Sequence, residues 1–218
     1  MVPVRQRRRL ILSTLLLAAS LAPAATPLSA EKADALRTRF ENRQKETRTW
    51  SAGFTQTLAL KGLREPVVSE GQIRFRAPDA LRIDFSKPAG EFALAVGDQL
   101  FLQKPGKPVA EKSLSKDSAG KPFLSLLGLL QGRPPENEES FEVAVSRDED
   151  RYLIVLTRKT GASGRLPKKI TNTVGAESME VQETVVELPN GGTLTYTFRN
   201  PSRNSPLPNA AFTPPAGR

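Results

Sequence analysis

Apolar residues first recur at helical spacing. Between Ser29 and about Thr49, Ala33, Leu36 and Phe40 follow a three-and-four interval while Arg37, Arg39, Glu41 and Arg43 fall off it, the mark of a single buried stripe. Glu31 and Asp34 stand early, where carboxylates complement the positive end of a helix dipole. A first helix is therefore expected to run to about 45–49, followed by a strand through Trp50, Ala52, Phe54, Thr55 and Thr57. From there the period is two. Ile73 and Phe75 alternate against Gln72, Arg74 and Arg76, and Leu81, Ile83 and Phe85 against Arg82, Asp84 and Ser86, with a turn at Pro78-Asp79. Phe92, Leu94 and Val96 repeat the pattern, Gly97-Asp98 turns the chain, and Leu100 and Leu102 resume it.

Residues 103–121 are rich in Lys, Pro, Gly and Ser and read as a surface loop. The next ten, "FLSLLGLLQG" from Phe123 to Gly132, are six parts large and apolar, with Pro122 ahead of them and Gly132 closing them. That framing predicts a second helix. Phe141, Val143 and Val145 then alternate, "YLIVLT" at Tyr152 to Thr157 is apolar on both faces, and Lys168 to Val174 is a weaker strand. The last hairpin is the clearest: Val181 to Leu188, a Pro189-Asn190-Gly191-Gly192 turn, and Thr193 to Arg199. Nine or ten antiparallel strands, each with one apolar face, are expected to curl into an incomplete barrel. The fold class is mainly β with helices, an α+β arrangement in which two helices cover the concave face of a strongly curved antiparallel sheet.

On a helical wheel Phe123, Leu124, Leu126, Leu127, Leu129 and Leu130 take more than half the circumference, leaving Ser125, Gly128 and Gln131 as a narrow polar side. Such a helix requires burial on most sides. Two readings stay open from the pattern alone: a plug that forms ordinary core, or a cover over a cavity that can be exchanged for lipid.

Arg5, Arg7, Arg8 and Arg9 precede the apolar run Leu10 to Leu21, and Ala22-Pro23-Ala24 follows. This is the layout of a secretory signal peptide over 1–25, leaving one domain at 26–218. The chain has no Cys and no His. Disulfides, thiolate metal ligands and an N-terminal lipidated Cys are thus excluded, as are histidine-based hydrolytic sites. Export without disulfides points to a bacterial envelope compartment. Without the four leader arginines, 28 basic residues face 23 acidic ones, too small an excess to suggest nucleic acid and enough to attract anionic surfaces or acidic partners. Clusters such as Glu136 to Glu139 and Asp148 to Asp150 read as solvated loops, so an enzyme is not expected, and neither is a cofactor or metal.

In order, "FTQT" at Phe54 to Thr57, "EGQIRF" at Glu70 to Phe75, "RAPDALRIDFSKP" at Arg76 to Pro88, "VGDQLFL" at Val96 to Leu102 and the ending "NPSRNSPLPNAAFTPPAG" resemble the bacterial outer-membrane lipoprotein carriers of the LolA family. "FLSLLGLLQG" and "FEVAV" look closest to a divergent branch of it. The resemblance implies a monomeric periplasmic carrier that holds acyl chains of lipoproteins in an apolar cavity. It would receive them from an inner-membrane ABC transporter and pass them to an outer-membrane receptor. Another acylated lipid as cargo, or a β adaptor binding a protein partner and no lipid, are the alternatives. Ile73, Phe75, Leu81, Ile83, Phe85, Phe92 and Leu94 would line the wall. Phe123, Leu126, Leu127 and Leu130, with Leu36 and Phe40, would form the cover. Trp50, Tyr196 and Phe198 are lining or fixed core. In the family an Arg directly before the Pro of the second motif latches the cover; here that position is Ala77, and Arg76 and Arg82 are the substitute candidates, against the plainer reading of charges on the convex face.

Overall fold

A computed structural model describes residues 25–117, 120, 123, 126–127, 138–164 and 166–214. The expected signal peptide, apart from its last residue, lies outside the described residues, as do Leu124, Leu129 and Leu130. The first helix, α1 (Ala30–Lys45), starts where expected: Ser29 caps it, its Oγ accepting from the Lys32 N–H at 3.5 Å, and Glu31 occupies the first turn with Arg43 and Lys45 in the last. These charges match the dipole at both ends.

Among the described residues twelve strands form one antiparallel sheet, rather than nine or ten. They are β1 (Thr26–Pro27), β2 (Thr49–Ala59), β3 (Val67–Arg76), β4 (Ala80–Lys87), β5 (Glu91–Val96), β6 (Gln99–Gln103), β7 (Ala110–Ser113), β8 (Phe141–Asp148), β9 (Arg151–Arg158), β10 (Lys169–Gly175), β11 (Val181–Glu187) and β12 (Thr193–Arg203). Their spatial order is β1-β8-β9-β10-β11-β12-β2-β3-β4-β5-β6-β7. Among the described residues the sheet does not close, since β1 and β7 have no further partner, so the architecture is an incomplete curved barrel. The strands that pattern analysis misses are these two edges. β1 is two residues long, and β7 reads Ala-Glu-Lys-Ser inside the polar stretch expected to be loop, with no apolar alternation to announce it.

Two meanders, β2–β7 and β8–β12, meet where β12 pairs with β2, from Thr193 opposite Ala59 to Phe198 opposite Phe54 and, past a bulge, Arg203 opposite Trp50. The Asn-Gly hairpin that starts β12 forms as expected: Gly191 has φ +81°, and Asn190 Oδ1 accepts from the Gly192 N–H at 3.0 Å.

A buried polar tie locks this seam. Glu180, in the β10–β11 turn, accepts from Trp50 Nε1 at 2.8 Å and from Arg203 Nε at 2.7 Å. Arg203 is 7% and Glu180 12% exposed. The guanidinium also donates to Gln44 Oε1 at 3.2 Å and to Thr47 Oγ1, and both residues are buried at the end of α1. One ion pair thus joins α1, β2, β12 and the β10–β11 turn. Removing one partner of a buried pair strands the other's charge, at about 3 kcal/mol or more. Glu180→Ala is therefore expected to lower stability in urea by about 3 kcal/mol. Because Trp50 is the only tryptophan, its emission should shift in the same variant even in the folded state; unchanged emission and stability would refute the tie.

Candidate functional site

The inner face of the sheet is built in rows, because antiparallel register carries like-facing residues from strand to strand. One row runs Trp50, Phe75, Leu81, Ala95, Leu100, and the next Ala52, Ile73, Ile83, Ala93, Leu102. A third runs Phe198, Phe54, Gly71, Phe85. Gly71 is required here: a Cβ would overlap the Asp84 carbonyl oxygen and press on the Phe54 ring. Its absence lets Phe54 and Phe85 meet edge to face, centroids 5.5 Å apart at 87°. Trp50, Phe54, Ile73, Phe75, Leu81, Ala95 and Leu100 are all buried. Within these spans the rows hold no charged side chain; Glu91 opposite Phe85, Lys112 opposite Leu100 and Arg203 opposite Trp50 stand at their ends. Such a surface can take up hydrocarbon and offers no group for acid–base or nucleophilic chemistry.

Phe123, Leu126 and Leu127 are helical and lie over these rows, Leu127 buried and the other two half-buried against the cluster. The chain reaches them through Leu114, itself buried in the cluster. That root is tied to the β5–β6 turn. Asp98 Oδ2 accepts from Ser113 Oγ at 2.8 Å and Oδ1 from the Ser115 N–H at 2.9 Å, while its carbonyl accepts from the Leu114 N–H at 2.6 Å. Hydrogen bonds from the side chains of Ser115 and Ser113, and from the Ser115 N–H, hold the Asp98 carboxyl below its ordinary pKa. The tie is therefore whole at neutral pH and is lost only as pH falls through that lowered value.

The structure brings together Ile73, Phe75, Leu81, Ile83 and Phe85 from the expected wall with Phe123, Leu126 and Leu127 from the expected cover. It separates others. Phe92 and Leu94 pair across β4 with Asp84 and Arg82, so they face outward, where they pack with Ala80, Phe101 and Phe212. Every residue from Phe92 to Val96 is apolar, so alternation cannot choose a side. Ala93 and Ala95 take the inner one, leaving room beneath the covering side chains. Leu36 is buried and Phe40 half-buried, but among the described residues neither joins the cluster on the inner face. Trp50 is buried, donates to Glu180 and meets Phe198 edge to face at 5.8 Å; Tyr196 and Phe198 are half-buried and stack 6.4 Å apart.

Arg76 and Arg82 also point outward. Arg76 stacks over Phe212 at 4.5 Å and donates to Asn209 Oδ1 at 3.0 Å. Arg82 stacks over Phe92 at 4.6 Å, donates to both Asp84 oxygens at 2.8 and 2.9 Å, and reaches the Ala211 carbonyl at 3.4 Å. Both clasp the short 3-10 turn Asn209–Phe212 to the outside of the barrel rather than the cover to the inside. Among the described residues neither contacts the cover, and neither is simply solvated.

Sequence reasoning misses a fourth row. Val67, Leu58, Leu194, Val186, Ile170, Leu156 and Val143 are successive cross-strand partners from β3 round to β8. This aliphatic row continues the inner face into the second meander, with Val143 and Val67 about half exposed at its two ends. The signal for it was the phase of Leu194, Tyr196 and Phe198, which puts Leu194 on the same face as the aromatic rows. Apart from this face, a polar cavity of about 750 Å³ opens beside the Glu180–Arg203 pair and is lined by Arg43, Arg151 and Glu183 among others.

Residues 45–215 match the model of the family described as outer membrane lipoprotein carrier protein LolA. An outer-membrane lipoprotein carrier protein of Dechloromonas aromatica is 27% identical over 177 residues, covering 79% of this chain and 81% of the relative. Among solved structures, MucB superposes with a TM-score of 0.54 at 10% identity over 86% of this chain and 64% of MucB, and the Pseudomonas aeruginosa MucA/MucB complex contains a chain matching with a TM-score of 0.50 at 11% identity over 85% of this chain and 62% of that one. This chain thus spans somewhat under two thirds of those proteins, and the likeness concerns the fold. The uncharged rows of the inner face, the helical residues over them and the match from Lys45 to Pro215 together place this chain in the LolA family of outer-membrane lipoprotein carriers, a family of binding proteins and not of enzymes.

Proposed function

We propose that the protein is a periplasmic shuttle that takes the acyl chains of lipoproteins, or of another acylated molecule, onto the inner face of its barrel and carries them from the inner to the outer membrane. Residues 1–25 would direct its export. By the family's logic an inner-membrane ABC transporter would load it and an outer-membrane receptor would unload it, with the carrier acting as a monomer. The observation that carries this reading is the placement of Phe123, Leu126 and Leu127 on the apolar rows as a separate piece of chain, rooted at Leu114 and Asp98.

The energetic requirement is steep. A chain of about sixteen carbons, at about 0.8 kcal/mol per methylene, resists entry into water by about 12 kcal/mol. A carrier has to offer comparable apolar area, hide it when empty, and still give it up. An uncovered face of this size would aggregate. A cover that competes with cargo for the same surface hides the face, and its own closure lowers the net affinity for cargo by the same free energy.

Three outcomes follow. Mass spectrometry of protein purified from periplasm under mild conditions should find an acylated molecule in stoichiometric amount; consistent absence would favour a β adaptor that binds only a protein partner. Leu127→Glu, which puts a carboxylate where cover, wall and cargo meet, should weaken uptake of a fluorescent fatty-acyl probe more than about tenfold, with the far-ultraviolet circular dichroism of the sheet retained. If the sheet melts instead, Leu127 is fixed core. Asp98→Asn should keep the fold yet speed hydrogen exchange through 113–127, and wild type should show that same loosening only in acid, below the ordinary carboxylate range.

A further inference from the structure

The two ends of the barrel carry opposite charge. At one end the connections β2–β3, β4–β5, β6–β7, β9–β10 and β11–β12 hold Lys61, Arg64, Lys104, Lys107, Lys159 and Lys168 against one acid, Glu65, although Glu138 and Glu139 just ahead of β8 lie at this end too. All six cations are exposed, and none is in a salt bridge among the described residues. At the other end the turns β3–β4, β5–β6, β8–β9 and β10–β11 hold Asp79, Asp98, Glu149, Asp150, Glu177 and Glu180 and no Lys or Arg, although Arg48 between α1 and β2 and Lys116 after β7 lie at this end too and Glu180 is paired with Arg203. A field of this shape turns the basic end toward an anionic surface.

The basic end also presents hydrocarbon. The last pair between β3 and β4 is Glu70 with Lys87, so the β2–β3 hairpin runs on past its neighbour from Ser69 to its tip. On that projecting part Leu63 is 50% and Val67 51% exposed, with Val68 exposed beside them. Lys61 and Arg64 flank Leu63. We propose that this hairpin, with the basic turns around it, docks the protein on the anionic phospholipid surface of a membrane, the cations held at the headgroups and Leu63, Val67 and Val68 entering the acyl boundary. An acidic protein would be satisfied by the cations alone. Half-exposed aliphatic side chains on a projecting tip gain from an apolar phase, and cations beside aliphatics are the composition that interfacial segments use. Val67 is also the first residue of the aliphatic row that leads onto the inner face. The docking surface stands on its own, while its use in cargo transfer rests on the carrier reading.

Co-sedimentation with vesicles tests it. Binding to vesicles containing phosphatidylglycerol should exceed binding to phosphatidylcholine alone and weaken as salt is raised. Lys61→Glu with Arg64→Glu should lower that binding by about tenfold or more, and Leu63→Ser should lower it several-fold without a change of charge. Lys116→Glu, at the acidic end, should leave it unchanged. Equal binding to the two vesicle types, a loss as large with Lys116→Glu, or binding untouched by Leu63→Ser would overturn the proposal, the last of these pointing to an acidic protein surface instead. All variants are checked for native circular dichroism. The charge-reversed variant should still take up the fatty-acyl probe, so that failure to dock and failure to carry are read separately.

Discussion

An open sheet with an apolar inner face has to cover that face with its own chain or lose it to aggregation. Much of this molecule follows from that requirement. Apolar rows line the inner face of β2–β6, with Glu91, Lys112 and Arg203 at their ends, and Phe123, Leu126 and Leu127 lie across them. Room for those side chains comes from Ala52, Ala93 and Ala95, small residues at positions where a larger one would fill the space, and from Gly71, which lets two phenylalanines close up beside it. The approach to the cover is held by polar contacts, Asp98 with Ser113 and Ser115, on either side of the buried Leu114. Grease supplies the contact, and hydrogen bonds at the edge of the sheet set where it begins.

Two different devices fix the rest of the shell. At the seam between the meanders, Glu180 and Arg203 join four elements through one buried pair. Outside, Arg76 and Arg82 hold the C-terminal turn by stacking on Phe212 and Phe92. Both devices use arginine, whose planar guanidinium can lie on a ring and donate in its own plane at the same time. Neither forms a hydrogen bond or ion pair with Phe123, Leu126 or Leu127.

The architecture was readable from the chain wherever a single period operated. Alternation in β3, β4 and β12 assigned the correct inner residues, and Ser29 with Glu31 placed the start of α1. It failed where both faces are apolar: in "EFALAV" alternation fits either side, and only pairing with Arg82 and Asp84 of β4 shows that Phe92 and Leu94 look outward. It failed also for interactions between distant segments. Nothing local to Glu180 or Arg203 reveals that they meet, and Arg76 and Arg82 read as ordinary charges until the C-terminal turn, more than a hundred residues away, is laid over them. The aliphatic row from Val67 to Val143 likewise exists only in register, since its seven members come from seven strands.

The free edges carry a consequence for solubility. A sheet left open offers unpaired amides to any passing strand, and a long regular edge would invite copies of the protein to join end to end into polymers. Here β1 is two residues long and one of them is Pro27, which has no amide hydrogen to donate. The opposite edge, β7, is four residues with Glu111 and Lys112 at its centre, both exposed. Brevity, an imino acid and adjacent charges together deny both margins as templates, so the barrel can stay unclosed without recruiting a neighbour to finish it.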